Sequence, residues 1–152
     1  MAGGIKDMKV LVINGPNLNM LGKREVGIYG ESTLADIEVM VGEKASALGV
    51  DVLFYQSNHE GEIIERKQSA GTEDIDAMII NPGGYTHSSV AIRDAILAVG
   101  IPFVEVHITN VASRESFRKN SMFSDIALGT ISGLGPMGYV LALEALVDRY
   151  GR

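Results

Sequence analysis

The chain has 152 residues, the length of one ordinary domain, and 46% hydrophobic against 21% charged residues is a globular balance, not a disordered one. Thirteen Lys and Arg against nineteen Asp and Glu leave a net charge of −6, which argues against a sequence-independent nucleic-acid binder that displaces phosphate counterions. There is no cysteine, so disulfide scaffolds, thiolate-bound zinc and thiol catalysis are excluded. No apolar run approaches the roughly 20 residues that span a bilayer, and Met1–Asp7 lacks the apolar stretch of a signal peptide. One soluble domain over residues 1–152 is expected, in the cytoplasm, with residues 1–7 as a flexible N-terminal extension.

Apolar runs alternate with amphipathic segments from end to end. Met8–Ile13 is short, rich in β-branched residues and stopped by Asn14-Gly15-Pro16, which predicts a buried strand. Thr33–Leu48 carries Leu34, Ile37, Val41, Ala45 and Leu48 at spacings of three and four, can be capped by Ser32 or Thr33, and ends at Gly49: a helix. Val50–Tyr55 is a second strand, His59–Ala70 a second helix, Ala77–Ile80 a third strand, and Ser88–Val99 a helix closed by Gly100. Pro102–Val106 is a fourth strand, Ile126–Ile131 a fifth, and Met137–Tyr150 the last helix. Strands separated by mostly helical crossovers imply a five-stranded parallel sheet covered on both faces, an α/β, flavodoxin-like, doubly wound sandwich. Three long or polar segments, Gly15–Glu31, Pro82–His87 and Ile108–Asp125, each follow a strand. In such a sheet the crevice lies beyond the carboxyl ends of the strands, so these segments should build a site.

Two glycine-rich stretches resemble phosphate loops and fail on context. Gly133-Leu134-Gly135-Pro136-Met137-Gly138 matches G-x-G-x-x-G, but it follows the last strand and leaves no acidic ribose partner beyond; a tight turn with Pro136 near the first helical position is the better reading. Gly15–Lys23 has the wrong glycine spacing for a nucleoside-triphosphate loop, and Arg24 stands where Ser or Thr is required.

Polar clusters at the ends of strands one, three and four carry the groups that could do chemistry. The first runs from Asn14 through Asn17 and Asn19 to Lys23-Arg24-Glu25 and Tyr29-Gly30; the second is Asn81–His87; the third is Glu105-Val106-His107-Ile108-Thr109-Asn110, with Arg114 and Arg118 downstream. Strand alternation turns Glu105 and His107 to the same side, where a carboxylate can fix an imidazole's tautomer for general-acid work; the alternative is a histidine that only caps a strand end. His87, before a helix, can bind an anionic oxygen or simply cap. Tyr29 in its glycine-flanked loop has Arg24 five residues earlier, and a nearby guanidinium favours a tyrosinate. His59 is assigned a structural or surface role, and Tyr139 and Tyr150 a packing role. Three scattered histidines lack metal-ligand spacing, and no G-x-S-x-G elbow appears. These residues suit a metal-free acid–base enzyme acting on a small, polar, anionic molecule.

The same clusters resemble the type II 3-dehydroquinate dehydratases. The likeness rests on four ordered blocks: Asn14–Gly22 with Arg24-Glu25 and Tyr29-Gly30, Asn81–Asp94, Glu105–Asn110, and Gly133–Tyr139. It implies elimination of water from 3-dehydroquinate to give 3-dehydroshikimate, in aromatic biosynthesis or quinate breakdown, without cofactor, metal or Schiff-base lysine. The resemblance assigns the tyrosinate base to Tyr29, its charge partner to Arg24, enolate stabilisation through a water to Asn17, and the general acid to His107 oriented by Glu105. Substrate contacts fall on Asn81, His87, the backbone of Ile108 and Thr109, and Arg118. Asp94 matches a residue supplied by a neighbouring subunit, and a homododecamer built from trimers is implied.

Three departures stand out: Val26 replaces a usual proline, Thr109 a common serine, and residues 119–123 a run that usually holds histidine and tyrosine. The rival from another class is a flavodoxin-like binding or signalling module. Its response-regulator version would want acidic residues where this chain has Asn14-Gly15-Pro16, and its flavin version would colour the protein yellow.

Overall fold

The computed structural model describes residues 7–151, so the flexibility expected of the N-terminal extension falls, for residues 1–6, outside the described residues. Five strands form one sheet: β1 (Lys9–Asn14), β2 (Asp51–Gln56), β3 (Ala77–Asn81), β4 (Phe103–His107) and β5 (Gly129–Ser132). They pair in the order β2-β1-β3-β4-β5, all parallel. This is the flavodoxin-like order, with its switch point between β1 and β3. The central strands KVLVIN, AMIIN and FVEVH are almost wholly buried, whereas the edge strands β2 and β5 are partly exposed.

Period-two alternation sends the central strands' side chains into two cores. On one face Val10, Val12, Ile79 and Val106 pack with Ile37 and Val41 of α2 (Leu34–Leu48) and Leu143 and Leu146 of α5 (Met137–Tyr150). On the other, Leu11, Ile13, Met78 and Ile80 meet Ile63 of α3 (Glu60–Ala70) and Ile92 and Ile96 of α4 (Val90–Val99). Thr33 caps α2 in a reciprocal capping box with Asp36, and Gly49 closes it at φ 71°. Ser89 caps α4 through the amide of Ile92.

Two predicted features differ from what is observed. The fifth strand begins at Gly129 and not at Ile126, because Ile126 and Ala127 close a turn on the carbonyl of Phe123 and pack against the α3–α4 core. The loop after β1 also contains a short helix, α1 (Val26–Tyr29), entered through Glu25 at φ 37°. Val26, the residue that replaces a usual proline, opens this helix, and its carbonyl accepts the amide of Gly30.

Lys67 lies on the buried stripe of α3 with Ile63 and Ala70, and its ammonium nitrogen has no hydrogen-bond partner among the described residues. Burial pushes its pKa down to about 7 from 10.5. Between these values the unfolded chain holds a proton that the folded chain lacks. This group's contribution to stability therefore rises with pH through that window, by on the order of 5 kcal/mol. Lys67→Met should be more stable than the parent at pH 7 in chemical denaturation, and the two curves should converge towards pH 10.5. Parallel curves across that range would contradict the burial of an unpaired amine.

Candidate active site

The register brings polar strand ends into one row. Asn14 lies opposite Gln56 on one side and Asn81 on the other, and His107 lies opposite Ser132. Gly15 follows β1 so close to the next loop that a Cβ there would stand 2.3 Å from the carbonyl oxygen of Pro82. Glycine is therefore required for the first and second polar clusters to lie against each other, joined by the bond from the Gly15 amide to the Asn81 carbonyl (2.8 Å).

Below that contact the strand ends are locked by a buried polar joint. Tyr139 on α5 is fully buried; its hydroxyl donates to Asn14 Oδ1 (2.5 Å) and accepts from Asn81 Nδ2 (2.9 Å). Desolvation raises the pKa of this hydroxyl, so it remains a neutral donor. Asn81 Oδ1 accepts the Gly83 amide (3.1 Å), which fixes the orientation of the side-chain amide.

Asn17 adopts a left-handed conformation (φ 69°), one that asparagine tolerates better than most residues. Its amide donates to Asn58 Oδ1 (2.9 Å), which also accepts from Gln56 Nε2 (3.1 Å). Leu18 and Leu21, both buried, then anchor the loop before it reaches Arg24 and Tyr29. Arg24 lies over the Tyr29 ring, 4.3 Å from its centroid, with Nη2 3.3 Å from the phenol oxygen. A second guanidinium, from Arg114, donates to the same oxygen at 2.7 Å. Two cationic donors thus converge on one phenol oxygen, an arrangement that accommodates negative charge there.

At the end of β4, Glu105 and His107 do lie on one side, with His107 Nε2 2.5 Å from Glu105 Oε2. Burial alone would raise the Glu105 pKa. The bond and charge of His107, with hydroxyls from Ser124 and Ser121, outweigh it and hold the carboxyl below the usual range. His87 ends a short 3₁₀ turn (Gly83–His87) and its Nδ1 is 2.8 Å from the carbonyl of Asn120. A carbonyl only accepts, so Nδ1 carries the hydrogen and Nε2 is the ring nitrogen left for a ligand. Capping of α4 falls to Ser89, which removes the capping alternative for His87.

Asn17, Arg24, Tyr29, Asn81, His87, His107, Ile108, Thr109 and Arg118 all line one cavity of about 160 Å³. Glu105 stands behind His107. Asp94 is not brought in: it lies on the exposed face of α4 with Val90 and Leu97. Arg114 also lines the cavity, although the sequence only marks it as one member of a polar cluster. Asn58 was missed as well, yet Gln56-Ser57-Asn58 follows β2 as directly as the other clusters follow their strands. Tyr139 does pack, as expected, and in addition carries the polar joint. The Gly133–Gly138 stretch is a turn on the end of β4: the amides of Gly133 and Gly135 donate to the carbonyls of His107 and Ile108. Among the described residues no group of three His, Asp or Glu could hold a metal ion, and no helix is long and apolar enough to cross a membrane.

A flavodoxin-like sheet with this set of titratable side chains at its carboxyl edge defines an α/β enzyme. The model of the Dehydroquinase class II family matches residues 8–147, and the chain belongs to that family. It is 56% identical to a 3-dehydroquinate dehydratase of Polynucleobacter necessarius, over 95% of this chain and 97% of the other. A 3-dehydroquinate dehydratase 2 of Corynebacterium efficiens is 60% identical over 93% and 99% of the two chains. The crystal structure of a type II dehydroquinase from Butyrivibrio crossotus matches with a TM-score of 0.90 at 48% identity, covering 92% of this chain and 97% of that one.

The polar joint makes a direct prediction. Tyr139→Phe leaves Asn14 Oδ1 and Asn81 Nδ2 without their buried partner, which should cost about 1–3 kcal/mol in chemical denaturation. Unchanged stability would mean that the joint contributes nothing to holding β1, β3 and α5 together.

Proposed function

We propose that this enzyme eliminates water from 3-dehydroquinate to give 3-dehydroshikimate, through an enolate. The observation that carries the reading is the pairing, in one cavity, of a phenol oxygen held by two guanidiniums with an imidazole held by a buried carboxylate. Tyr29, as the phenolate, removes the proton beside the ketone, and Arg24 and Arg114 balance the charge that it carries before the transfer. Electron density passes to the ketone oxygen, and Asn17 stabilises that enolate through a water. His107 then delivers a proton to the departing hydroxyl while Glu105 compensates the charge on the imidazolium. The enolate collapses to the enone and water leaves. Exchange with solvent returns Tyr29 and His107 to their starting states.

Arg118, His87, Asn81 and the backbone of Ile108 and Thr109 hold the substrate's polar groups. The chemistry needs neither metal nor imine, because the anion formed beside the ketone is held by hydrogen bonds. A cytoplasmic location fits a small diffusible substrate.

Assembly into trimers and then dodecamers is part of the same reading. Val90, Ala91, Leu97 and Ala98 form an exposed apolar face on α4, broken only by Asp94 and partly covered Arg93. Such a face suits burial against a second copy, which would bring Asp94 to a neighbour's cavity.

Purified enzyme with dehydroquinate should develop the ultraviolet absorbance of a conjugated enone. Tyr29→Phe should abolish it while calorimetry still detects substrate binding. Arg114→Ala and Arg24→Ala should be nearly as severe, and lysine at either position should restore rate only in part because the planar fork is lost. His107→Asn should slow turnover by about 10²–10⁴-fold. Turnover of Tyr29→Phe near the parent rate would remove the assigned base.

The subunit-crossing role has its own test. Asp94→Ala and Tyr29→Phe proteins, each impaired, should regain part of the activity when refolded together, since mixed assemblies contain sites with both native residues. No recovery in mixed oligomers, or a fully active monomer in sedimentation, would contradict it.

A further inference from the structure

We propose that Ser121 and Ser124 are positioning residues for the acid: they keep Glu105 ionised and so fix His107 with Nε2–H on Glu105, leaving Nδ1 as the atom that delivers the proton. This deepens, and rests on, the reading of His107 as the general acid. The key is the direction of the hydrogen bonds. Ser121 Oγ accepts two backbone amides, from Phe123 (3.0 Å) and Ser124 (3.2 Å). Both lone pairs are occupied, so its single hydrogen has to be donated, and it points at Glu105 Oε2 (2.9 Å) and Oε1 (3.1 Å). Ser124 Oγ adds a bond to Oε1 (2.8 Å), and His107 Nε2 lies against Oε2.

Ser121 cannot accept a carboxyl proton without giving up an amide, so it donates to Glu105 in either state. With Ser124 and His107 Nε2 also on its oxygens, the carboxylate is the form that lets all three donate. The carboxylate form satisfies every group. Nε2 of His107 then donates, and Nδ1, which has no hydrogen-bond partner among the described residues, is free for the substrate. In the imidazolium that the Glu105 carboxylate stabilises, Nδ1 carries the second proton, the one delivered. Its sheet neighbours, Ile80 and Thr130, are uncharged, and among the described residues His107 is the titratable group that hydrogen-bonds Glu105.

The serines are held in place by the segment that carries them. The Met122 amide donates to the Thr86 carbonyl (2.8 Å), and Arg93 donates to the Met122 carbonyl (2.9 Å) while gripping Asp125 with both terminal nitrogens. Asn120, one residue before Ser121, supplies the carbonyl that fixes His87. The short segment 120–124 thus orients both cavity histidines, and all of it but Ser124 falls in the run that departs from the family pattern.

The test is the pH profile of kcat/KM. Loss of a hydroxyl that stabilises the carboxylate lets Glu105 take up a proton at higher pH, so the acid limb should move up by about one unit in Ser124→Ala. Among the described residues Ser124 Oγ hydrogen-bonds only Glu105, and the backbone caps are made by Ser121, so this variant spares them. Ser121→Ala should move the limb further, and Ser124→Thr should bring it back. A carbon-13 titration of the Glu105 carboxyl should shift in the same direction and does not depend on turnover. A uniform loss of rate with an unmoved limb and an unmoved carboxyl titration would overturn the proposal. So would a limb that still moves with Ser124→Ala in a Glu105→Gln background. If Glu105→Gln alone left rate and profile unchanged, the His107–Glu105 reading itself would fall, and the proposal with it.

Discussion

The hydroxyl of Tyr139 joins the side chains of Asn14 and Asn81 at the ends of two neighbouring buried strands, and the remaining site geometry hangs from that joint. A parallel sheet covered on both faces has few places where polar side chains can be satisfied. Here a helix hydroxyl, two amides and the Gly15–Asn81 backbone bond satisfy one another just beneath the cavity floor. The loops after β1 and β3 consequently depart from fixed points. The close approach of Gly15 to Pro82 sets the two loops against each other where they leave the strands.

From those anchors the cavity separates into two electrostatic halves. The half around Tyr29 is cationic, with Arg24 on the ring face and Arg114 on the oxygen. The half around His107 is built on a buried carboxylate whose hydrogen-bond capacity is taken up by an imidazole and two serines. In the proposed chemistry the first half holds negative charge before proton removal, and the second holds positive charge before proton delivery. Neither residue type would be suited to its task in water: a free phenol is weakly acidic and a free imidazole is unoriented.

Much of this was legible in the amino-acid sequence because it follows from local rules. Runs such as MKVLVI and AMII are short, apolar and bounded by Asn-Gly-Pro or Asn-Pro-Gly, so the buried strands and the loops beyond them can be read directly. Glu105 and His107 sit two apart on a strand, and that spacing alone turns them together. Ile126–Leu128 misled because a three-residue apolar run has no period; tertiary packing made it a turn. The contacts that escaped are long-range ones: Arg114 lies 85 residues from Tyr29, Tyr139 lies 125 from Asn14, and Ser121 approaches Glu105 from a separate loop. Lys67 escaped for the opposite reason, since a lysine on a helix is ordinarily solvent-facing and only the packed α3 stripe reveals its burial.

The division of labour between base and acid is best examined by separating the two proton transfers. His107→Asn protein can be incubated with 3-dehydroquinate in deuterium oxide and the unreacted substrate recovered for proton NMR, with Tyr29→Phe as the control. If Tyr29 removes a proton to form an enolate and His107 acts afterwards, recovered substrate should carry deuterium beside the ketone although elimination has stalled, and the control should show none. Recovered substrate that stays undeuterated in His107→Asn while product still forms slowly would contradict a discrete enolate and the two-step roles assigned to these residues.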